Sequence, residues 1–97
     1  MDNSLLSDEM IETLEASFGE DRAVCRIHNR LGPQSWILLD KDPESDTFTC
    51  IADLGFGISE LGSVLGQELE EVAGMPEVDL ELDVDFQHVG EPAEFFL

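Results

Sequence analysis

Apolar and polar positions divide the 97-residue chain into six segments. Between Ser7 and Gly19, the residues Met10, Ile11, Leu14 and Phe18 recur at helical spacing, so one stripe faces a core while Glu12 and Glu15 face water. Ser7 suits an N-cap, Asp8 and Glu9 suit the positive end of the helix dipole, and Gly19 is a stop signal. The stretches "AVCRIH" (23–28), "QSWILLD" (34–40) and "DTFTCIADL" (46–54) are bounded by turns rich in Gly, Pro, Asp and Ser, which predicts three strands. They are neighbours in sequence, so an antiparallel meander is the economical topology. Gly55 and Gly57 break the pattern at "GFG". "GQELEEVAG" (66–74) predicts a short helix with Leu65, Leu69 and Val72 inward and Glu68 and Glu71 outward, ended by Gly74 and Pro76.

The segment "EVDLELDVDF" (77–86) alternates strictly. In a strand, Val78, Leu80, Leu82, Val84 and Phe86 share one face and Glu77, Asp79, Glu81, Asp83 and Asp85 the other. The spacing predicts a last long strand with its apolar side on the core. The tail "EPAEFFL" places Phe95, Phe96 and Leu97 where they pack on the domain or on a partner. The expectation is an α+β fold: a small antiparallel sheet of four or five strands, an N-terminal helix and a second short helix, in a single domain over residues 1–97.

Charge changes this picture more than hydropathy does. The chain has 23 acids and 4 bases, a net charge of −19. Residues 1–41 hold 8 acids and all 4 bases (Arg22, Arg26, Arg30, Lys41), and residues 42–97 hold 15 acids and no base. Such a chain is repelled by nucleic acids and anionic membranes and attracted to basic surfaces. No apolar run approaches the roughly 20 residues needed to cross a bilayer. The start lacks the positive region of a signal peptide, so a cytoplasmic location is expected. Cys25 and Cys50 have neither metal-type nor redox spacing and are expected as buried thiols.

The stretch "WILLDKDPESDTFTCIADLGFGISELGSVLGQEL" (36–69) resembles a family of short bacterial proteins classed as a domain of unknown function and carried on plasmids and integrative elements. The pattern is a Trp followed by apolar residues, an acidic Asp-Pro turn, an aromatic, Asp-Leu-Gly-x-Gly, Glu-Leu-Gly and a Glu-Leu that opens a helix. Trp36, Asp42, Pro43, Phe48, Asp53, Leu54, Gly55, Gly57, Glu60, Leu61, Gly62, Glu68 and Leu69 fit it. "DVDF" and "EPAEFF" resemble the family's closing strand and aromatic tail, whereas Ile58 replaces a usual proline. The N-terminal helix lies outside this resemblance. It implies a mobile-element setting and no catalytic residues.

The residues themselves offer little chemistry. Asp40, Asp42, Glu44 and Asp46 alternate like the start of a calcium loop, but Ser45 and Ile51 replace the required Gly and Glu, so a solvated turn is expected and no metal site. His28 and His88 lack partners at zinc spacing. Asp53 and Glu60 flank a glycine-punctuated loop and are the one carboxylate pair suited to a small hydrolase, yet no nucleophile motif or phosphate-loop lysine accompanies them. Backbone capping by these acids is the preferred reading. No enzyme and no cofactor are expected.

The acidic row is the remaining candidate. Its carboxylates repeat every 6.6–6.8 Å or so. At that spacing each adjacent pair repels by roughly 0.6 kcal/mol in water, and the row stores about 1–2 kcal/mol. One base would relieve it, and none lies in the segment. Edge protection needs only one or two charges, and a generally acidic proteome would account for the bias without a site. The functional reading is a non-enzymatic mimic of nucleic-acid phosphates that binds a basic nucleic-acid-binding protein, such as a host defence complex, in the manner of an anti-CRISPR or anti-restriction inhibitor. Asp79, Glu81, Asp83 and Asp85 are the first candidate contacts, with Glu68, Glu70 and Glu71 next. The alternative is an interaction module of the element's own machinery, using the Phe95–Leu97 tail or the "GFGISELG" loop.

Overall fold

The structure, a computed structural model, describes residues 5–97; residues 1–4 of the expected domain lie outside the described residues. The elements in chain order are α1 (Asp8–Ala16), β1 (Cys25–Asn29), β2 (Ser35–Lys41), β3 (Thr47–Asp53), β4 (Ser59–Leu65), α2 (Gly66–Ala73), β5 (Leu80–Leu82) and a short 3-10 helix (Ala93–Phe96). All strand pairings are antiparallel and the order across the sheet is β4-β3-β2-β1-β5. The fold is α+β, with the expected meander at its centre.

Both helices cover one face of the sheet. Leu14 of α1 and Leu69 of α2 join Ile27, Trp36, Leu38, Phe48 and Cys50 in the main core. Ser7 caps α1, its hydroxyl accepting the Met10 N–H at 3.1 Å. The helix stops at Ala16, two residues before the expected end at Phe18, so Phe18 leaves the apolar stripe and is exposed. Leu65, expected inward, stands at the α2 N-cap and is also exposed. It has no capping oxygen of its own. Glu68 accepts the Leu65 N–H at 3.0 Å and Asp46, reaching across from the β2–β3 turn, accepts the Gln67 N–H at 2.8 Å. A Cβ on Gly66 would collide with Asp46 and crowd Phe48, so only glycine permits this close approach.

The opposite face carries a smaller core of Ala23, Leu39, Ile51 and Ala93, flanked by Ile37, Phe86 and Phe96. A bulge between Leu38 and Asp40 shifts the β2–β3 register, and Leu38 and Leu39 are buried in different clusters. The C-terminal segment covers part of this face. It is held by Ala23 N–H to Glu91 O, Gly90 N–H to Ala23 O and Ala93 N–H to Asp21 O, at 2.8–2.9 Å. Phe96 packs against Phe95 and Phe86, with ring centroids 5.0 and 6.2 Å apart. The tail therefore packs on its own domain, with Phe95 and Leu97 left exposed.

Cys25 and Cys50 are buried free thiols on β1 and β3. Burial pushes Cys25 up to about 12. Burial, then the Glu68 charge, pushes Cys50 up to about 11. Neither forms a thiolate near neutrality. Native protein at pH 8 is expected to leave both thiols unmodified by an aromatic disulfide reagent, and both to react once denaturant is added. Because the fold favours the neutral thiols, their contribution to stability is complete below the ordinary value of about 8.5 and is lost as pH rises through 11–12.

Candidate binding surface

The acidic row is shorter and better compensated than its sequence implies. Only Leu80–Leu82 are strand, and the chain then turns, with Asp83 Oδ1 accepting the Asp85 N–H at 2.9 Å and Phe86 N–H reaching Asp83 O at 3.3 Å. Val78, Leu80 and Leu82 keep the expected core contacts. Val84 does not: it is 87% exposed. Phe86 crosses to the second core on the other face. The strict alternation thus continues through a turn that makes no use of it.

The bases absent from the segment come from β1. Register pairs His28 with Glu81, and its continuation sets Arg26 beside Asp83 and Arg30 beside Asp79. Arg26 donates to Asp83 at 2.8 Å, His28 Nε2 lies 2.9 Å from Glu81 Oε1, and Arg30 donates to Asp79 at 2.9 Å, with its Nε 3.7 Å from Glu81. Burial works to raise the Asp83 pKa, but the Arg26 hydrogen bond, the Asp85 N–H and the charges of Arg26 and His28 outweigh it and hold the carboxyl below its usual range. The expected self-repelling row is therefore corrected to a cross-strand ion ladder. The signal was present in the chain, since Arg26, His28 and Arg30 repeat at the same period of two as the acids.

The other acids are spent singly. Glu68, Glu70 and Glu71 ride on α2, on the helical side of the sheet, whereas the ladder faces the other side with His28, so the structure does not join the two sets of predicted contacts. Asp42 and Asp53 accept backbone N–H groups two residues on, from Glu44 and Gly55, both at 2.9 Å. Asp53 pairs with Ser59, and Glu60 pairs with Ala52 one position away, so the two carboxylates project from opposite faces and do not converge as an acid–base pair. Asp40 is buried, with Oδ2 accepting the Gly19 N–H at 2.9 Å and Oδ1 unpartnered among the described residues. Among the described residues no cluster of three or more His, Cys, Asp or Glu is placed to hold a metal ion.

The surface that the sequence reading missed as structure is β4. This seven-residue strand pairs with β3 from Thr47↔Leu65 to Asp53↔Ser59 and forms one edge of the sheet. Its residues are exposed or half-buried throughout. Around it stand large apolar side chains in water: Phe56 at 83%, Ile58 at 61% and Leu61 at 52% exposure, with Leu54 beside them. Gly55 and Gly57, at φ +94° and +81°, supply the left-handed turn that lifts Phe56 clear. Two hollows flank this hairpin tip. One of about 130 Å³ lies among Ala52, Leu54, Phe56, Ile58 and Glu60. The other, about 330 Å³, reaches across to Trp36, Val72, Met75 and Leu80. The sequence signal was the pair of exposed aromatic and aliphatic residues within a glycine turn.

Fold and surface together define a small acidic α+β domain with one compensated edge strand and one open, apolar-rimmed edge strand. The chain belongs to the family described as protein of unknown function (DUF2958), whose model matches residues 3–95. The match takes in the N-terminal helix as well as the central stretch that carried the resemblance. No curated protein and no solved structure matches the chain. Among the described residues no helix is long and apolar enough to cross a membrane.

Proposed function

We propose that this protein is a non-enzymatic acidic binding module that engages a protein partner through the β4 edge and the apolar residues around it. The observation that carries this reading is an unpaired edge strand bordered by exposed apolar side chains, Phe56 and Ile58 at the hollow before it and Leu61 on its other face, a combination that marks interaction sites. Its setting in this reading is a bacterial plasmid or integrative element, as the family resemblance implies. Immobilised wild type is expected to retain a partner from host lysate, and Phe56→Ser with Leu61→Lys to lose it. Both side chains face water, so stability is expected to change by no more than about 0.5 kcal/mol per site. Phe95→Ser, on the tail, leaves retention intact. Retention that survives the double substitution would exclude this surface.

A second reading, inhibition of a host nucleic-acid-binding defence complex by mimicry of nucleic acid, is supported by a different observation. Arg22, Arg26, Arg30 and Lys41 all bond within the chain, Arg22 to Gly90 O and Lys41 to Glu15, Asp42 O and Ser45 O. Most acids are then without an ion pair among the described residues, and Asp8, Glu9 and Glu12 of α1 and Glu70 and Glu71 of α2 gather such charges on the helical side. In this reading the α2 glutamates outrank Asp79, Glu81 and Asp83 as contacts. Competition between the protein and DNA or RNA for the retained partner distinguishes the two readings.

A further inference from the structure

We infer that β4 receives an extended segment of a basic partner protein as a sixth strand, joined by main-chain hydrogen bonds. This rests on reading the β4 edge as the contact surface and names what occupies it.

The backbone geometry comes first. Gly66 N–H bonds Asp46 O at 2.9 Å, directly across the β3–β4 ladder. The alternation of an antiparallel ladder then turns Ser59, Leu61, Ser63 and Leu65 outward. The Leu65 N–H is taken by Glu68. Ser59, Leu61 and Ser63 therefore present their N–H and C=O groups at the open edge. The two edges of this sheet are treated differently. β5 has three residues, ends in a turn and carries the ion ladder, the usual devices that blunt an edge. β4 has seven residues, an unbroken register with β3, no proline and one charge, Glu60.

The side chains specify the occupant. Glu60 lies opposite Ala52, on the helical side of the sheet, where α2 carries Glu68, Glu70 and Glu71. Leu61 lies opposite Ile51, on the other side. β3, β4 and α2 contain no Lys, Arg or His. A second copy of this chain would bring another −19 charges to the same edge. A strand alternating lysine or arginine with aliphatic residues instead meets both faces. Its cations face Glu60 and the α2 glutamates, with their methylene stems over the Ile58–Phe56 hollow, and its aliphatic groups lie beside Leu61. Main-chain bonds give such a complex its affinity and the alternate side chains its selectivity.

The test uses the full chain and a synthetic peptide of about eight residues alternating lysine with valine, long enough to span β4. By NMR, binding is expected to shift resonances over residues 59–65, to slow amide exchange at Leu61 and Ser63, and to weaken as salt rises. Ser63→Pro removes an outward donor and leaves the β3 ladder intact, since proline is tolerated where the N–H faces solvent. It is expected to lower affinity about tenfold. The same peptide N-methylated along one edge, tested on wild type, is expected to fail likewise, and it carries the test if the proline variant does not fold. Equal binding by the N-methylated peptide, or by one with glutamate in place of lysine, overturns the inference, as does self-association through β4. If the peptide fails while Phe56→Ser with Leu61→Lys still abolishes partner retention, strand addition is wrong and the contact surface stands.

Discussion

Phe48→Ala is expected to cost about 3–5 kcal/mol of stability, read as a lower urea midpoint at an unchanged slope. Phe48 is 1% exposed and lies between Lys41 on β2 and Val64 on β4. Its ring edge also closes against Gly66 at the start of α2. The side chain therefore joins three elements, and its neighbours cannot all move inward to fill the void. A domain of this size holds about 5–15 kcal/mol in total, so the variant sits near the limit of folding. A loss below about 1 kcal/mol would contradict the packing of this face.

The second large effect concerns the ion ladder. Asp83→Lys sets an ammonium against Arg26 where a carboxylate now accepts a 2.8 Å hydrogen bond. The pair is partly shielded, lying between surface bridges worth up to about 1 kcal/mol and buried ones that cost 3–5 when broken, so a loss of about 2 kcal/mol is expected. Asp85→Lys, two residues on in the turn, should change stability by no more than about 0.5 kcal/mol. Asp83→Asn adds the pH dimension. The carboxyl titrates below its ordinary value in the fold, so its contribution is complete above about pH 4 and is lost as pH falls through the lowered value. The wild-type advantage over Asp83→Asn is therefore expected to shrink only in acid. An advantage that shrinks instead on raising the pH from 5 to 8 would show that the Arg26 bond is not its source.

The parts of this fold that were legible are those in which local pattern and burial coincide. Ser7 as a cap, the stripe of Met10, Ile11 and Leu14, and the three central strands all follow from spacing and turn chemistry. β4 was illegible because an edge strand exposed along its length has no face to hide and hence no alternation to read. Its glycine at position 62 and its serines suggest a loop to any propensity scale. Val84 and Phe86 show the opposite failure. Their pattern is strand-like, but the chain turns at Asp83 and pattern alone cannot mark that point. Pairing of the acidic row with β1 required knowing that strands separated by about fifty residues are neighbours, which no local reading supplies.

A strand that arrives late has to choose among several alignments. β1 to β4 are joined by short connections, whereas His28 and Glu81 are 53 residues apart, so β5 completes the sheet at the greatest loop-closure cost. Sliding β5 by one residue would expose Leu80 and Leu82 and turn carboxylates onto the core. Sliding it by two preserves the faces and still sets a carboxylate opposite each of Arg26, His28 and Arg30, because Glu77 and Asp85 extend the acidic row at the same period. Hydrophobicity thus rejects the odd slips, while the acidic row accommodates the even ones. The docking position is instead pinned at its two ends, where Asn29 Oδ1 accepts the Asp79 N–H at 2.9 Å and the chain turns at Asp83.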